Sequence, residues 1–131
     1  MIWRLYTFSK EQPQYFALVF LDRNVPRISK EYERFAFMSM MRDKTTERMQ
    51  RCIDTGALPA EVNIHAAIRL LFAPVLGFAA MRLSNRLAPG EDPDLLVRQS
   101  IDVTLVGLRH HPPVGTYRTD GPFHPSCDPG R

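Results

Sequence analysis

Apolar residues along this chain recur at spacings of three and four, and alternation with a period of two is not sustained anywhere. The first spacing places apolar side chains on one face of an α-helix, whereas a half-buried strand needs the second. The pattern therefore predicts an all-α fold, a helical bundle of about five helices within residues 1–109. No internal repeat is visible.

Two short helices are predicted at the start of the chain. The first spans about 2–11 and ends near Gln12, because the residue before a proline avoids helical geometry. Pro13 suits the first position of the second helix, where its missing N–H costs nothing. The polar segment "DRNVPR" ends this second helix near residue 22.

A long amphipathic helix is predicted over about 29–55, with Ser29 as its N-cap. Gly56 is a suitable C-cap, and Pro59 cannot continue the helix. The apolar stripe of this helix has three- and four-residue spacing and consists of Ile28, Tyr32, Phe35, Met38, Met41, Thr45, Met49 and Cys52.

The last two predicted helices are apolar on more than one face. The fourth, about 64–87 with Asn63 as its cap, contains "LLFAPVLGFAAM", twelve residues without a charged or hydrogen-bonding side chain. Pro74 inside this run predicts a kink, because it removes one backbone hydrogen bond. In the fifth helix, which reaches about Arg109, Asp92 caps, Pro93 takes the first position and Asp94 complements the helix dipole.

A helix that is apolar on all faces must be enclosed. The two helices form a hairpin, and one of its sides can pack on the earlier helices. The other side would face water, at about 25 cal/mol per Å² of apolar surface. A second copy solves this through an intermolecular four-helix bundle with two-fold symmetry. The alternative is close packing within one chain. The predicted dimer interface consists of Ala66, Ala73, Gly77, Ala80, Leu95, Ile101 and Leu105.

Composition and charge bear on the partners and the cellular compartment that the sequence predicts. Apolar residues make up 44% and charged residues 24%, and the net charge of +3 is scattered, so no nucleic-acid surface is predicted. Cys52 and Cys127 form no disulfide framework, which suits a reducing cytoplasm. The opening residues lack the basic region, the following apolar region and the cleavage site of a signal peptide. The twelve-residue apolar run is shorter than the about 20 residues that span a bilayer, so no membrane partner is expected.

Residues 110–131 hold five of the eleven prolines and three of the seven glycines. Such a segment buries too little apolar surface to offset its ordering entropy, which predicts a flexible, disordered tail. Four zinc-ligand types fall there, but their spacing fits no finger pattern, so no metal is expected. They are His110, His111, His124 and Cys127.

Motifs of catalysis and of cofactor binding are missing from the sequence: G-x-S-x-G, HExxH, a P-loop and GxGxxG. The chain is therefore not expected to be an enzyme or to hold a cofactor. The functional candidate is a pocket between the second, third and fourth helices, with Arg42, Arg69 or His65 as its polar group. Aromatic and Met side chains at helical spacing also suit an ordinary core. The candidate lining residues are Phe16, Phe20, Tyr32, Phe35, Met38, Met41, Phe72 and Met81.

Two stretches resemble the C-terminal domain of TetR-family transcriptional regulators. "LYTFSKEQPQYFALVF" resembles the segment that opens that domain, with an aromatic-rich helix on each side of Pro13. "AAIRLLFAPVLGFAAMRL" resembles its penultimate long helix, with Ala66, Ala67 and Gly77. A polar loop and a final helix over 92–109 follow in the family's order, so the resemblance covers about 1–109.

The resemblance implies a domain that dimerises through its last two helices and encloses a small apolar or amphipathic effector. In the family, effector binding changes the separation of two N-terminal helix-turn-helix heads and so controls DNA binding. Nothing in residues 1–30 reads as a helix-turn-helix, so these 131 residues are expected not to bind DNA alone. The alternative is an all-helical protein–protein interaction module without a pocket.

Overall fold

The computed structural model describes residues 1–22 and 36–116, with side chains from Met40 onward in the second range. Within these ranges the chain forms α-helices and no strand, which confirms the all-α prediction and the number of helices. The five helices are α1 (Ile2–Glu11), α2 (Pro13–Phe20), α3 (Ala36–Asp54), α4 (Ile64–Leu83) and α5 (Pro93–His110).

The junction between α1 and α2 follows the local chemistry of Pro13. Gln12 leaves the helical region, with φ −132° and ψ 62°, and Pro13 is the first residue of α2. The Gln12 N–H still donates to the Phe8 carbonyl at 2.8 Å, which satisfies one acceptor at the end of α1. The predicted boundary is confirmed.

The described part of α3 places its predicted stripe inward. Thr45 and Met49 are buried, and Met41 and Cys52 are half-buried. The helix ends before Gly56, whose φ of +76° lies in the left-handed region that glycine tolerates best. The predicted start of this helix at Ser29 lies outside the described residues.

Both caps predicted for the hairpin helices are present. The Asn63 side chain accepts a hydrogen bond from the Ala66 N–H at 3.0 Å. The Asp92 carboxylate accepts from the N–H groups of Asp94 and Leu95 at 2.9 and 3.3 Å. These bonds satisfy donors that have no partner within their own helix.

The fourth helix differs from its predicted length, since α4 ends at Leu83 rather than near residue 87. The Ser84 hydroxyl donates to the Ala80 carbonyl at 2.7 Å, and Asn85 adopts φ +52°. A left-handed residue directly after the cap turns the chain out of the helix. Pro74 lies within α4 and does not end it.

The central helix is α4, which contacts each of the other four helices and packs most extensively on α5. The core has two clusters along it. The first joins α3, α4, the end of α5 and the loop between α3 and α4, and contains Met49, Leu58, Val62, Ala67, Leu71 and Leu108. The second joins α1, α2, α4 and the start of α5, and contains Tyr6, Phe16, Val75, Ala79 and Val97.

The predicted tail over 110–131 begins inside a helix, because His110 is the last residue of α5. Residues 111–116 carry no helix, but the Pro113 carbonyl accepts a hydrogen bond from the Asn63 N–H at 2.9 Å. This bond ties the chain after α5 to the start of α4. Residues 117–131 lie outside the described residues.

By length and composition, one helix in the described ranges is long and apolar enough to cross a membrane, and this is Ile64–Leu83. The core helix of a soluble bundle passes the same test, and α4 contacts four other helices. Yet only 28% of its most apolar stretch is buried by the chain itself. Much of the apolar surface of α4 therefore remains open.

Candidate functional site

A cavity of about 320 Å³ lies where the start of α1 meets α3, α4 and α5. Its wall is almost wholly apolar. The residues lining it are Met1, Ile2, Trp3, Thr45, Arg48, Met49, Cys52, Ile68, Leu71, Phe72 and Ile101. Its volume lies at the lower end of the 300–1,000 Å³ typical of small-molecule sites.

Side-chain size on α3 explains why this space stays open. The inward stripe of α3 alternates a long side chain, Met49, with the shorter side chains of Thr45 and Cys52 one turn away on either side. These short side chains leave space towards the start of α1, where the Thr45 hydroxyl lies 3.5 Å from the sulfur of Met1.

Two polar groups stand in the cavity wall. The Thr45 hydroxyl donates to the Met41 carbonyl at 2.7 Å, so its oxygen keeps lone pairs that can accept. Arg48 is the one charged side chain of the lining, and it is exposed. Nearby, the Arg98 guanidinium lies 4.5 Å from the centre of the Trp3 ring, a cation–π contact on the wall.

The structure divides the predicted pocket residues between different places. Phe72 lines the cavity, whereas Phe16 and Phe20 pack against each other in the second core cluster, with ring centroids 4.9 Å apart. Met41 lies on α3, one turn before Thr45, and Met81 is 37% exposed on α4. Tyr32, Phe35 and the side chain of Met38 lie outside the described residues.

The cavity therefore lies between the first, third, fourth and fifth helices rather than between the second, third and fourth. Sequence reasoning missed Trp3 and Arg48, which reach the cavity because α1 and α3 each pack on α4. Arg48 follows Thr45 by three residues, a spacing that places it at the edge of the inward stripe. The polar groups predicted for the pocket, Arg42, Arg69 and His65, are exposed and do not line it.

A second candidate is the outer face of the α4–α5 hairpin, defined by exposed apolar residues of both helices. Within it runs a groove of about 330 Å³ lined by Leu70, Pro74, Thr104, Gly107, Leu108 and His111. The large exposed side chains of this face are Leu70 (49%), Met81 (37%), Leu95 (51%), Val103 (72%) and Val106 (52%). Monomeric soluble proteins seldom leave such apolar patches uncovered.

Packing among the described residues does not explain Gly77 and Gly107. A Cβ built on either residue would meet no described atom within 4 Å. A glycine inside a helix costs about 0.5–1 kcal/mol relative to alanine. Both therefore carry a cost that residues 1–22 and 36–116 do not offset, as expected where another backbone approaches closely.

The residues predicted for the dimer interface are only partly exposed. Ala73, Gly77 and Leu95 are open to solvent, and Ala80 is half-buried. The other three face the chain's own core. Ala66 is 4% exposed, Ile101 lines the cavity and Leu105 packs on the first core cluster. Helical phase places the exposed Val103 and Val106 on a different side of α5 from Ile101 and Leu105.

A polar contact, which we name the α1 clasp, joins α1 to the first turn of α5. The Asp94 carboxylate accepts hydrogen bonds from the Tyr6 hydroxyl at 2.8 Å and from the Lys10 ammonium at 2.9 Å. The bonds from Lys10 and Tyr6 lower the pKa of Asp94, while burial and the bond to Asp94 raise the pKa of Tyr6 to about 12. The clasp holds α1, and with it Trp3, beside α5.

No family model, no curated protein and no solved structure matches this chain. Within residues 1–22 and 36–116, no three His, Cys, Asp or Glu side chains form a group that could hold a metal. The features on which a function can be argued are thus the cavity, the outer face and the helix α5 that borders both.

Proposed function

We propose that this chain is the ligand-sensing and homodimerisation domain of a cytoplasmic transcriptional regulator resembling the TetR family. It binds a small apolar or amphipathic effector. In this proposal DNA is contacted by a helix-turn-helix unit outside residues 1–131. The observation that carries the proposal is the apolar outer face of α4 and α5, which the other described residues leave exposed, with two glycines that no contact within residues 1–22 and 36–116 explains.

A second copy suits this face by size and by chemistry. Two antiparallel helices that present Leu70, Gly77 and Val106 supply the apolar half of a four-helix bundle. A two-fold axis lets the same residues serve both subunits, so one sequence covers itself. The charged side chains Arg69 and Asp102 lie among the exposed positions of the two helices and can form the rim of the contact.

The cavity supports the sensing half of the proposal, because it shares a helix with the outer face. Ile101 lines the cavity, while Thr104 and Gly107, one and two turns later, line the outer groove. A ligand that displaces Ile101 therefore acts on the helix that a partner subunit would contact. Coupling of this kind needs a difference in ligand affinity between two positions of α5.

The alternative, an interaction module without a pocket, predicts a filled interior and an equally apolar face. The cavity of about 320 Å³ opens to solvent and gives a small ligand room at the surface, which supports the sensor. The face itself suits either function, since it would also receive a different protein.

The oligomeric state tests the proposal. Light scattering at micromolar concentration should show a dimer, and Leu70→Glu should weaken dimerisation at least about 100-fold, because the interface would bury an unpaired charge. Leu18→Glu is the matched control, since Leu18 is 50% and Leu70 49% exposed but Leu18 lies on α2. A monomeric wild type, or equal dissociation of both variants, would overturn the proposal.

A further inference from the structure

We propose that the ligand of the cavity is an anionic amphiphile, whose hydrocarbon chain fills the cavity while its acidic head group pairs with Arg48. This inference rests on the proposed sensing function and adds the chemical class of the effector. It depends on three observations: the composition of the wall, the state of Arg48, and the volume.

The wall accepts hydrocarbon and offers little to a polar ligand. Ile2, Ile68, Leu71, Phe72 and Ile101 surround the space with aliphatic and aromatic groups. A polar ligand group placed among them would lose its hydrogen bonds to water without replacement. The interior of the cavity therefore selects an apolar chain.

Arg48 supplies the charge at the edge of that apolar space. It forms no ion pair or hydrogen bond with another residue in the described part of the chain. Arg51, three residues further along α3, differs because its guanidinium lies 2.7 Å from the Glu47 carboxylate and pairs with it. A guanidinium presents a planar fork of donors that matches a carboxylate, so the free Arg48 favours an anionic head group.

The surroundings of Arg48 disfavour the opposite head group. The lining contains no acidic residue among the described positions, and the carboxylate nearest along α3, Glu47, is already engaged by Arg51. Lys44 lies one turn before Arg48 and adds a second exposed cation on the same helix. A cationic amphiphile would meet repulsion at this edge.

The volume limits the size of the ligand. At about 320 Å³ it lies at the lower end of the range for small-molecule sites, which suits a medium-length aliphatic chain. The head group of such a chain would reach the edge where Arg48 is exposed. Each CH₂ removed from the ligand should weaken binding about fourfold, so shorter chains should bind progressively more weakly.

The single tryptophan of the chain provides the measurement, because Trp3 lines the cavity. Decanoate, decanol and decylammonium, each below its micellar concentration, are titrated into the full chain while the fluorescence of Trp3 is followed. The three probes share one hydrocarbon chain and differ in the charge of the head group. Decanoate is expected to bind about two- to fivefold more tightly than decanol, the range of an exposed ion pair, and decylammonium most weakly.

Two variants assign the preference to Arg48. Arg48→Gln should abolish the difference between decanoate and decanol and leave the affinity for decanol unchanged. Arg86→Gln removes the same charge from an exposed position after α4, away from the cavity, and should keep the preference. Circular dichroism and the melting temperature verify that both variants are folded.

The titrations are repeated on Leu70→Glu, so that head-group preference is measured apart from dimerisation. Equal binding of all three probes, or a preference that persists in Arg48→Gln, overturns the inference while a dimer and a ligand site can still stand. Absence of binding by every probe also overturns it, whatever the oligomeric state. A monomeric wild type that prefers decanoate through Arg48 supports the inference and contradicts the dimer.

Discussion

The two sides of α4 have similar apolar composition and opposite surroundings. On the inner side, Ala67, Val75 and Ala79 are 0% exposed and Leu71 is 3% exposed, beneath the other helices. On the outer side, Leu70 is 49% exposed and Met81 is 37% exposed. The apolar composition of α4 therefore predicts cover on both sides, while the described residues cover the inner side and leave the outer side exposed.

The difference between the sides also appears in residue size. The inner side carries Leu71 and Ala67 in the first core cluster and Val75 and Ala79 in the second. The outer side carries Ala73, which is exposed, and Gly77, where an added Cβ would meet no described atom within 4 Å. Small residues that face open space in one subunit allow a helix of another subunit to approach closely.

The largest expected effect is on the inner side. Leu71→Ala should lower the free energy of unfolding by about 2–5 kcal/mol, because it removes buried methyl groups and leaves a cavity. Leu70→Ala, its neighbour on the outer side, should cost less than about 0.5 kcal/mol in the monomer. Urea denaturation at concentrations below dimer formation gives both values, and equal losses would show that the two sides do not differ.

The cover of the inner side depends in part on the α1 clasp. Tyr6→Phe removes the hydroxyl bond to Asp94 and should lower the free energy of unfolding by about 1.5 kcal/mol. The pKa of Tyr6 is raised to about 12, so its contribution is complete below pH 10 and is lost as pH rises from 10 towards 12. Alkaline unfolding should show this loss in the wild type and less of it in Tyr6→Phe. Identical alkaline profiles would contradict the role of the clasp.

Gly77 separates the two sides at a smaller scale. Gly77→Ala should stabilise the monomer by about 0.5–1 kcal/mol through helix propensity, yet weaken the dimer. Gly56→Ala serves as a control and should destabilise, since φ is +76° at that residue. Monomer stability from urea denaturation and dimer affinity from sedimentation test this, and a Gly77→Ala dimer as tight as wild type would remove the argument for close approach.

The smallest effect concerns Lys10, whose ion pair with Asp94 is 43% and 40% exposed on its two side chains. Lys10→Gln should cost about 0.5 kcal/mol or less, since exposed pairs contribute little. Bonds from Lys10 and Tyr6 lower the pKa of Asp94, so its contribution is present above the ordinary pKa and lost as pH falls through the lowered one. NMR titration should show the Asp94 pKa rising in Lys10→Gln, and an unchanged value would assign the shift elsewhere.

Local chemistry made much of the fold predictable. The caps at Asn63 and Asp92 and the break at Pro13 depend on neighbouring residues, and each is confirmed. The end of α4 was harder to predict from the sequence. It depends on the hydrogen bond from the Ser84 hydroxyl to the Ala80 carbonyl and on the positive φ of Asn85, which turns the chain out of the helix.

The site was predictable only where one helix decides it. Phe72, one of the predicted pocket residues, lines this cavity, whereas Trp3 and Arg48 reach it because α1 and α3 each pack on α4. The same holds for Asp94, which was expected to stabilise only its own helix and instead bonds Lys10, 84 residues away. Contacts across such separations leave no periodic pattern in the sequence.

Pro74 leaves one backbone hydrogen-bond acceptor beside the outer groove without its usual donor. Proline has no N–H, so the Leu70 carbonyl lacks the donor that a regular helix would provide. Both residues line the groove. The Leu70 carbonyl thus lacks its regular helical donor beside a groove whose lining is mostly apolar, and a donor from an incoming helix that reached it would fix the register that apolar contact alone leaves free.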